Sequence, residues 1–435
     1  MAGVARAPGV AGEETGAVDV DLTDLEAFAA GFPDDAFTAL RRSAPVHWHP
    51  PTPHTPDGVG FWVLSSYDAV VAAAADAVTF SSERAPGAPG GGTLIEDLPY
   101  GFAAGVLLNM MDDPRHHRIR RLVTPAVSPR ALARFESELR ARTAAILDAA
   151  AAGRCDFLVD VAVELPLQAI AILMGVPEAD RHDLLAWTSA TLTYDDRELG
   201  AHSARSQEAA AAMAAYGTDL LGRKRREGGT DILATVTGAV VEGDDGATGP
   251  LAEAELLMFF HLLVAAGSET TRNAIALGTA ALAERPEQWD LLRRHPETVP
   301  GAVEEILRWS SPTLYNRRTA TAPVELGGRA IAAGDKVTLW WASANRDEAV
   351  FDDPFRFDAT RTPNPHLAFG HRAHFCLGAT LARMEIRVML EGMLERFEAV
   401  TLEGPIERFR TNKHAGVKHM PVALHPRKDG RRHAP

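Results

Sequence analysis

Apolar residues recur at the spacing of an α-helix through most of residues 66–300 of this 435-residue chain. A repeat of three and four positions places these side chains on one face of a helix, or all around a buried one. The sequence therefore predicts a mainly α-helical fold. Four segments carry the pattern most clearly: residues 130–151, 156–175, 203–226 and 252–284.

Strand patterns are shorter and lie towards the two ends of the chain. Alternating apolar and polar residues predict strands within 45–66, and within 324–343 around a Gly-Gly turn. A last long helix is expected over about 377–397, followed by short C-terminal strands. Clusters of glycine and proline at 86–92 and 242–250 predict loops. The sequence thus predicts a minor β region beside the helices, and no common α/β winding fits this order.

The organisation of the chain indicates a single domain. We expect residues 21–426 to form one body, because no repeat and no long linker interrupts them. Residues 1–20 and 427–435 are expected to be disordered tails. The most apolar segment, 256–267, is shorter than the roughly 18 apolar residues of a membrane span, and it contains His261. This segment predicts a buried helix, so we expect no membrane anchor.

Charge and cysteine content narrow the class of partner. The chain has 44 Lys and Arg against 58 Asp and Glu, a formal charge of −14. This balance argues against a nucleic-acid partner, because phosphate binding rests on clustered cations. A local basic patch for an acidic protein partner is compatible with the acidic total. Two cysteines cannot form a disulfide framework, so the sequence predicts a reducing, cytoplasmic location.

Cys376 lies in the stretch AFGHRAHFCLGA at residues 368–379. Apolar residues behind it share one helical face, so we expect the sulfur at a helix N-terminus, where a thiolate is favoured. From this stretch alone, a reactive or ligating thiolate and a buried inert cysteine are equally supported. His371 and His374 add zinc-binding residue types, but without the usual spacing or a fourth ligand. A cysteine-protease site lacks a clear partner histidine.

Polar residues interrupt the longest apolar helix. Gly267 costs a helix roughly 1 kcal/mol relative to alanine. Glu269 and Thr270 place a carboxylate and a hydroxyl where burial is expected. A kink, satisfied by a threonine hydroxyl that bonds back to a carbonyl, explains the same residues without any function.

Two charge patterns on other helices are open to a functional and a purely surface interpretation. Glu305 and Arg308 are three positions apart, a spacing typical of solvated surface pairs. His116 and Arg120 are four positions apart, so they share a helical face. That face suits an anion, although a solvated basic stripe accounts for it equally well.

Four motifs, taken in order, resemble the cytochrome P-450 superfamily. They are AGSET at 266–270, E-x-x-R at 305–308, PFRF at 354–357 and FGHRAHFCLG at 369–378. The resemblance covers about residues 21–426 and is closest to the soluble bacterial members. It implies the P-450 fold, in which a long central distal helix and a proximal cysteine loop enclose a haem.

The resemblance implies how haem b is held. Cys376 corresponds to the axial thiolate ligand of the iron, a donor that favours O–O cleavage. Phe369 is expected to pack beside the sulfur, and the N–H groups around Gly378 to tune it. Four residues correspond to the positions that bind the two propionates: His116, Arg120, Arg318 and His374.

The resemblance also implies a structural and a catalytic set. Glu305, Arg308 and Arg356 correspond to a buried ion-pair network that fixes the fold around the cysteine loop. Glu269 and Thr270 correspond to an acid–alcohol pair on the distal helix. The reaction consumes two protons, which a hydroxyl fed by a carboxylate and water can supply.

The implied activity is that of a monooxygenase, which activates dioxygen and oxidises a C–H or C=C bond. A helix break at Gly267 is expected to widen the groove where dioxygen binds. Electrons are expected from NAD(P)H through a ferredoxin or flavodoxin and its reductase. Their docking face would be the proximal side, with Arg118, Arg121 and Arg372 as candidate contacts. The protein is expected to be a monomer.

Two alternative functions stay open at this point. One uses the same haem site for oxidative coupling, desaturation or peroxide-driven oxidation. The other is a non-catalytic haem- or ligand-binding protein, for which loss of the pair Glu269 and Thr270 would have been the sign. Both residues are present.

Arg372 departs from the family pattern, which usually has glycine four residues before the cysteine. A tight turn there needs a positive φ, and this costs a residue with a side chain about 1 kcal/mol or more. Either the loop bends differently, or packing elsewhere imposes the conformation. We expect haem still to bind and Arg372 to point towards the proximal surface.

The substrate pocket is expected to be apolar. The family fold builds its walls from the distal helix and from residues 93–111, 186–200 and 312–316. Aliphatic side chains dominate these segments here, which suits an apolar ligand such as a terpenoid, steroid or polyketide. Four residues are candidate pocket liners: Leu107, Leu262, Ala266 and Leu314.

Overall fold

The computed structural model describes residues 20–150, 153–191, 204–243 and 246–427. Nearly all of the two expected tails, and part of the expected pocket wall at 186–200, lie outside the described residues. Within the described part of the chain, no helix is both long enough and apolar enough to cross a membrane.

Helices dominate the structure, as the apolar periodicity predicts. The longest, with 31 residues, coincides with the most apolar part of the sequence. The described residues form fourteen α-helices: α1 Asp34–Ser43, α2 Tyr67–Ala75, α3 Arg115–Val123, α4 Pro129–Leu132, α5 Glu136–Ala150, α6 Glu164–Leu173, α7 Arg181–Thr191, α8 Ala204–Glu227, α9 Ile232–Thr237, α10 Glu253–Ala283, α11 Pro286–Arg294, α12 Val299–Ser310, α13 Trp341–Ala344 and α14 Ala379–Arg396.

The strands are short. Those within 45–66, within 324–343 and after residue 396 lie where the alternating patterns place them, and seven others between residues 80 and 320 were not predicted. A Gly-Gly turn separates the first two strands of the predicted region 324–343. The described residues form sixteen strands: β1 Val46–His49, β2 Phe61–Leu64, β3 Phe80–Ser81, β4 Gly90–Gly91, β5 Leu98–Pro99, β6 Arg154–Asp156, β7 Val240–Glu242, β8 Thr248–Pro250, β9 Asn316–Ala320, β10 Val324–Leu326, β11 Arg329–Ile331, β12 Lys336–Leu339, β13 Phe397–Leu402, β14 Glu407–Arg408, β15 Val417–His419 and β16 Pro421–Pro426.

The largest sheet has five strands in the order β1-β2-β12-β9-β3. β12 runs parallel to β2 and antiparallel to β9, so this sheet joins the N-terminal strands to strands late in the sequence. A second sheet has the order β13-β16-β6. The predicted minor β region is therefore confirmed, and it flanks a helical body.

α10 is the centre of that helical body. It packs against α6, α8, α12 and α14, and Phe260 in its N-terminal half is completely buried. At its start, the Ala252 N–H donates to the Glu255 carboxylate at 2.9 Å, which satisfies one of the free N–H groups of the first turn. Burial on several sides explains why the apolar residues of this helix are not confined to one stripe.

The expected helix break at Gly267 is absent, because α10 runs without interruption through this residue. A Cβ atom at Gly267 would lie 2.9 Å from Cδ1 of Ile170 on α6. The glycine therefore lets two helices approach closely, and the prediction of a widened groove at a break was wrong. Glycine at a helix crossing and glycine at a kink look the same in a single sequence.

Two expected loops contain short paired strands. Residues 242–250 span most of the hairpin of β7 and β8, and residues 86–92 contain β4, which pairs with β5. Strands of two or three residues carry too little alternation to stand out among glycines and prolines.

Candidate active site

A cavity of about 300 Å³ lies between α10 and the loop that contains Cys376. The α10 wall is mostly apolar and the opposite wall is formed by the cysteine loop and α14. One edge of the cavity is lined by basic residues. The residues that line the cavity include Asn109, His116, Arg120, Leu262, Ala266, Gly267, Thr270, Thr313, Asn316, Arg318, Phe369, His374, Cys376, Gly378 and Glu385.

Cys376 borders the cavity with its sulfur, three residues before α14 begins. Its N–H donates to the Phe369 carbonyl at 2.8 Å, which closes the cysteine loop. Burial raises the pKa of the Cys376 thiol, and this outweighs the opposing effects of the Gly378 N–H and of Arg120 and Arg383. A bound metal ion would deprotonate such a thiol.

The turn before the cysteine contains two residues with positive φ, Gly370 at 72° and Arg372 at 54°. Arg372 begins a single 3₁₀ turn, in which its carbonyl accepts from the Phe375 N–H at 3.0 Å. The loop thus keeps the left-handed conformation that glycine would favour, and packing imposes it on arginine. The Arg372 side chain is exposed.

Two histidines meet at one edge of the cavity. The rings of His116 on α3 and His374 in the cysteine loop are 4.2 Å apart between centroids. His116 Nδ1 lies 3.2 Å from the Asp113 carboxylate. Burial, reinforced by Arg318, His116 and Arg120, lowers the pKa of His374 to about 2, so its ring is neutral.

Two arginines complete this basic edge. Arg120 Nη2 donates to the Phe375 carbonyl at 2.5 Å and ties α3 to the cysteine loop. Arg318 on β9 is buried, and burial lowers its pKa to about 10 against the attraction of Asp112. The four basic residues expected to bind an anion are therefore together at one edge of the cavity.

The residues around the cavity fit a haem. The Cys376 sulfur can ligate a metal ion as a thiolate, the guanidinium groups of Arg318 and Arg120 favour an anion, and apolar walls suit a flat macrocycle. Glu385 is the one acidic side chain of the described cavity lining, and burial raises its pKa well above the usual value. Burial therefore favours the neutral form of this carboxyl group, which compensates the charge of the arginines poorly. The two propionates of a haem would compensate the charge of the arginines.

No group of three or more His, Cys, Asp or Glu side chains in the described residues is arranged to hold a metal ion by itself. The zinc alternative for His371, His374 and Cys376 therefore has no support. A single thiolate completed by a macrocycle is the arrangement that the donor set allows.

The acid and the alcohol on α10 point in different directions. Thr270 lines the cavity, and its hydroxyl donates to the Ala266 carbonyl at 3.1 Å. Glu269 is absent from the described cavity lining. Its carboxylate lies 3.6 Å from Nδ1 of His414, in the C-terminal segment. The two residues are thus adjacent in sequence, but only the hydroxyl faces the cavity.

The expected ion-pair network is present, but one of its arginines differs from the prediction. Arg308 donates from Nε and Nη2 to the Glu305 carboxylate, each at 2.7 Å, and both side chains are fully buried. The second guanidinium belongs to Arg361, whose Nε lies 3.1 Å from Glu305. Arg356 contributes its carbonyl, which accepts from Arg308 and Arg361. Its side chain is exposed, so the sequence assigned the wrong arginine.

Two of the four expected pocket liners face the cavity. Leu262 and Ala266 line it. Leu314 is buried instead in the core cluster beside the five-stranded sheet, and Leu107 is absent from the lining. Their sequence neighbours Leu108, Asn109, Thr313 and Asn316 line the cavity in their place.

The proximal surface contains two of the three arginines proposed as docking contacts. Arg121 and Arg372 are exposed. Arg118 donates to the Glu242 carbonyl at 2.7 Å and pairs with its carboxylate at 3.3 Å, so this side chain holds the β7–β8 hairpin.

A further network behind the cysteine loop was not predicted. The Glu304 carboxylate accepts from Arg383 Nε and Nη2, each at 2.8 Å, and lies 3.1 Å from His366 Nε2. The Arg383 guanidinium lies 4.6 Å from the centre of the Phe369 ring. No sequence spacing indicates this network, because its three members come from separate elements.

Known proteins are similar to this chain in sequence and in fold. A family model described as Cytochrome P450 matches residues 167–424. Cytochrome P450 126 of Mycobacterium tuberculosis is 47% identical over 407 residues, 93% of this chain and 97% of that protein. The methyl-branched lipid omega-hydroxylase of the same species is 39% identical over 435 residues, 96% of this chain and 97% of that protein. The solved structure of a Mycobacterium marinum cytochrome P450 in complex with pseudoionone has a TM-score of 0.84 at 32% identity, covering 95% of this chain and 100% of that one.

Proposed function

Because this chain belongs to the cytochrome P450 family and is a haem-thiolate monooxygenase, we propose that its substrate is an apolar molecule with a branched hydrocarbon skeleton. A terpenoid, a steroid side chain or a methyl-branched lipid has this character. The observation that carries the proposal is the α10 wall of the cavity, where apolar residues such as Leu262 and Ala266 surround the hydroxyl of Thr270. A relative named for methyl-branched lipids and a similar structure with bound pseudoionone support the same class.

Haem b would be held by the residues that line the cavity. Cys376 would ligate the iron through its thiolate, and His116, Arg120, Arg318 and His374 would bind the propionates. When bound, the haem supplies activation of dioxygen for insertion of one oxygen atom into a C–H or C=C bond. The His374 ring can donate a hydrogen bond to a propionate from one of its nitrogen atoms.

The chain's own residues would control water and protons around the substrate. The Phe369 ring, whose centre lies 4.6 Å from the Arg383 guanidinium, would pack beside the sulfur and limit its access to water on the proximal side. The Thr270 hydroxyl, now bonded to a carbonyl of its own helix, can rotate to donate into the cavity. Glu269, the residue before Thr270 on α10, is the acid that would return a proton to this hydroxyl.

Electrons would come from NAD(P)H through a ferredoxin or flavodoxin that docks over the cysteine loop. The exposed guanidinium groups of Arg121 and Arg372 suit an acidic partner surface. We place the protein in the cytoplasm as a monomer, because its electron donors are cytoplasmic proteins that need access to this face.

Isotopically labelled dioxygen tests the proposal. Purified protein with ferredoxin and reductase is incubated with a branched terpenoid, a steroid, a methyl-branched fatty acid and a macrolide, and products are analysed by mass spectrometry. We expect one labelled oxygen atom in a branched-skeleton product, and displacement of the distal water by the same compound in the visible spectrum. A desaturated or coupled product without label would favour the alternative chemistry. Binding and oxidation of the macrolide alone would overturn the substrate class.

A separate spectrum tests the ligand. The reduced, carbon monoxide-bound protein is expected to show the strongly red-shifted Soret band of thiolate ligation, and Cys376→Ser to lose it. A parent protein without this shift would contradict the assignment of Cys376.

A further inference from the structure

A polar cluster lies beside α10 and is unused by the residues assigned so far. The Glu269 carboxylate, 12% exposed, lies 3.6 Å from Nδ1 of His414, which is 19% exposed. Neither side chain is part of the described cavity lining. A carboxylate and an imidazole so placed, one residue from the hydroxyl of Thr270, require an explanation beyond packing.

Arg272 extends this cluster into the protein interior. Burial lowers the pKa of Arg272, and the nearby charge of Glu269 opposes this effect. Its Nε and Nη2 atoms are buried without a hydrogen-bond partner among the described residues, and so is Nδ2 of Asn273. Buried N–H groups of this kind are costly unless ordered water satisfies them. The cluster therefore provides polar sites for water beside the Glu269 carboxylate.

His414 connects this cluster to the outside. Its backbone pairs with Thr313, a residue of the cavity rim, so the position of His414 is fixed relative to the cavity. The His414 side chain is 19% exposed and absent from the described cavity lining, so it has an accessible part in addition to its contact with Glu269.

We propose that His414 passes protons from solvent to Glu269, which delivers them to the cavity by way of Thr270. Histidine is suited to this task because it gains and loses a proton near neutral pH. A separation of 3.6 Å is slightly longer than a hydrogen bond, and a small side-chain movement closes it. His414 is a positioning and relay residue, because it acts through Glu269.

The proton balance is simple. Insertion of one oxygen atom consumes dioxygen, two electrons and two protons, and releases one water. Each proton leaves Nδ1 of the His414 imidazolium for a carboxylate oxygen of Glu269, and the neutral imidazole takes a new proton from solvent. Glu269 passes its proton on through the Thr270 hydroxyl. No oxidant other than dioxygen is needed, and the electrons come from the redox partner.

Two substitutions at this histidine separate relay from packing. His414→Gln keeps a hydrogen-bonding side chain of similar size but cannot carry a proton, and His414→Asn is a second variant with the same property. The matched control is His295→Gln, because His295 Nδ1 lies 3.2 Å from the Glu297 carboxylate on the surface, away from the cavity.

The first measurement is the rate of oxygen consumption with reduced ferredoxin, in water and in deuterium oxide. We expect His414→Gln and His414→Asn to lower the rate about tenfold and to raise the solvent isotope effect. This loss is smaller than the roughly hundredfold or more that removal of a general acid–base group causes, because His414 acts through Glu269. His295→Gln should match the parent. The double variant with Glu269→Gln and His414→Gln should be only slightly slower than the single variant Glu269→Gln, because both residues act on one path.

The second measurement does not depend on turnover. A double-mutant cycle of His414→Gln and Glu269→Gln, read from urea midpoints, should be non-additive if the two side chains interact. Equal rates and isotope effects in His414→Gln, His414→Asn and the control would overturn the relay. Weaker substrate binding with an unchanged rate would also overturn the relay, because it would show that His414 contacts the substrate instead. The inference rests on monooxygenase activity but not on the substrate class, since oxygen consumption can be measured with any bound ligand.

Discussion

Arg361 donates from Nε to the fully buried carboxylate of Glu305 at 3.1 Å, alongside the bidentate contact from Arg308. One carboxylate therefore faces two guanidinium groups, and Arg361 also donates to carbonyl groups of the segment that leads to the cysteine loop. A buried carboxylate without sufficient donors is strongly destabilising. This contact makes Arg361 a structural requirement of the fold around Cys376.

Arg361→Ala is expected to lower the free energy of unfolding by about 1–3 kcal/mol, since it removes charged hydrogen bonds to a buried group. Arg356→Ala is the matched control, because the Arg356 side chain is exposed and only its carbonyl takes part. It should change stability by less than about 0.5 kcal/mol. Urea unfolding of both variants is the measurement. Equal losses would show that the Arg356 side chain belongs to the network after all.

The conformation of Arg372 leads to a second prediction. Arg372→Ala removes the charge and keeps a Cβ atom at positive φ, whereas Arg372→Gly removes both. The glycine variant should be more stable than the alanine variant by about 1 kcal/mol, measured by urea unfolding, because only glycine adopts this conformation freely. The comparison cancels the effect of the charge.

The effect of the Arg372 charge is measured separately, from the rate at which ferredoxin reduces the protein. If the guanidinium contacts an acidic ferredoxin, both variants should be reduced more slowly than the parent, and the difference should shrink at high salt. Parent-like reduction by every ferredoxin tested would remove any docking role for Arg372.

Gly267 leads to a third prediction. A Cβ there would lie 2.9 Å from two side-chain carbons of Ile170, so Gly267→Ala should destabilise the protein by about 1–3 kcal/mol through overpacking. Gly222→Ala on α8 is the control, because its new Cβ would meet only the flexible end of Arg226 at 3.4 Å. That variant should be more stable by up to about 1 kcal/mol, from helix propensity. Thermal or urea unfolding distinguishes the two. A stabilised Gly267→Ala would contradict the close contact of α10 with α6.

Contacts that follow from local spacing could be predicted from the sequence, and contacts between distant segments could not. Glu305 and Arg308 lie three positions apart on one helix, so their pairing could be predicted from the sequence. Arg361 is 56 positions from Glu305, and nothing in the spacing distinguishes it from Arg356. The family motif identified the segment but not the side chain.

The pocket shows the same limit on a finer scale. Leu314 was expected in the wall, but Thr313 faces the cavity and Leu314 faces the core. Neighbouring residues of an extended segment point to opposite sides, so an error of one position exchanges wall for core. Cys376 lies in the cavity lining, and four motifs in fixed order indicate this residue independently of local geometry.

Glu304 leads to the last prediction, a change of stability with pH. Although burial raises it, hydrogen bonds from His366 and Arg383 dominate and lower the pKa of Glu304 to about 2, below its ordinary value of 4.5. A carboxyl whose pKa is lower in the folded state stabilises the fold above its unfolded pKa. That contribution should be lost as the pH falls from about 5 to about 2.

Glu304→Gln removes this contribution. Compared with the parent, the variant should be less stable near neutral pH, and the difference in urea midpoint should shrink steadily as the solution is acidified. The control is Glu395→Gln, whose side chain is 66% exposed and lies 3.6 Å from Arg396; its midpoints should run parallel to those of the parent. Because Arg383 also contacts the Phe369 ring, Glu304→Gln should in addition weaken haem retention in acid, seen as earlier loss of the Soret band. A constant difference between parent and Glu304→Gln at all pH values would show that this carboxylate does not respond to its partners in the folded protein.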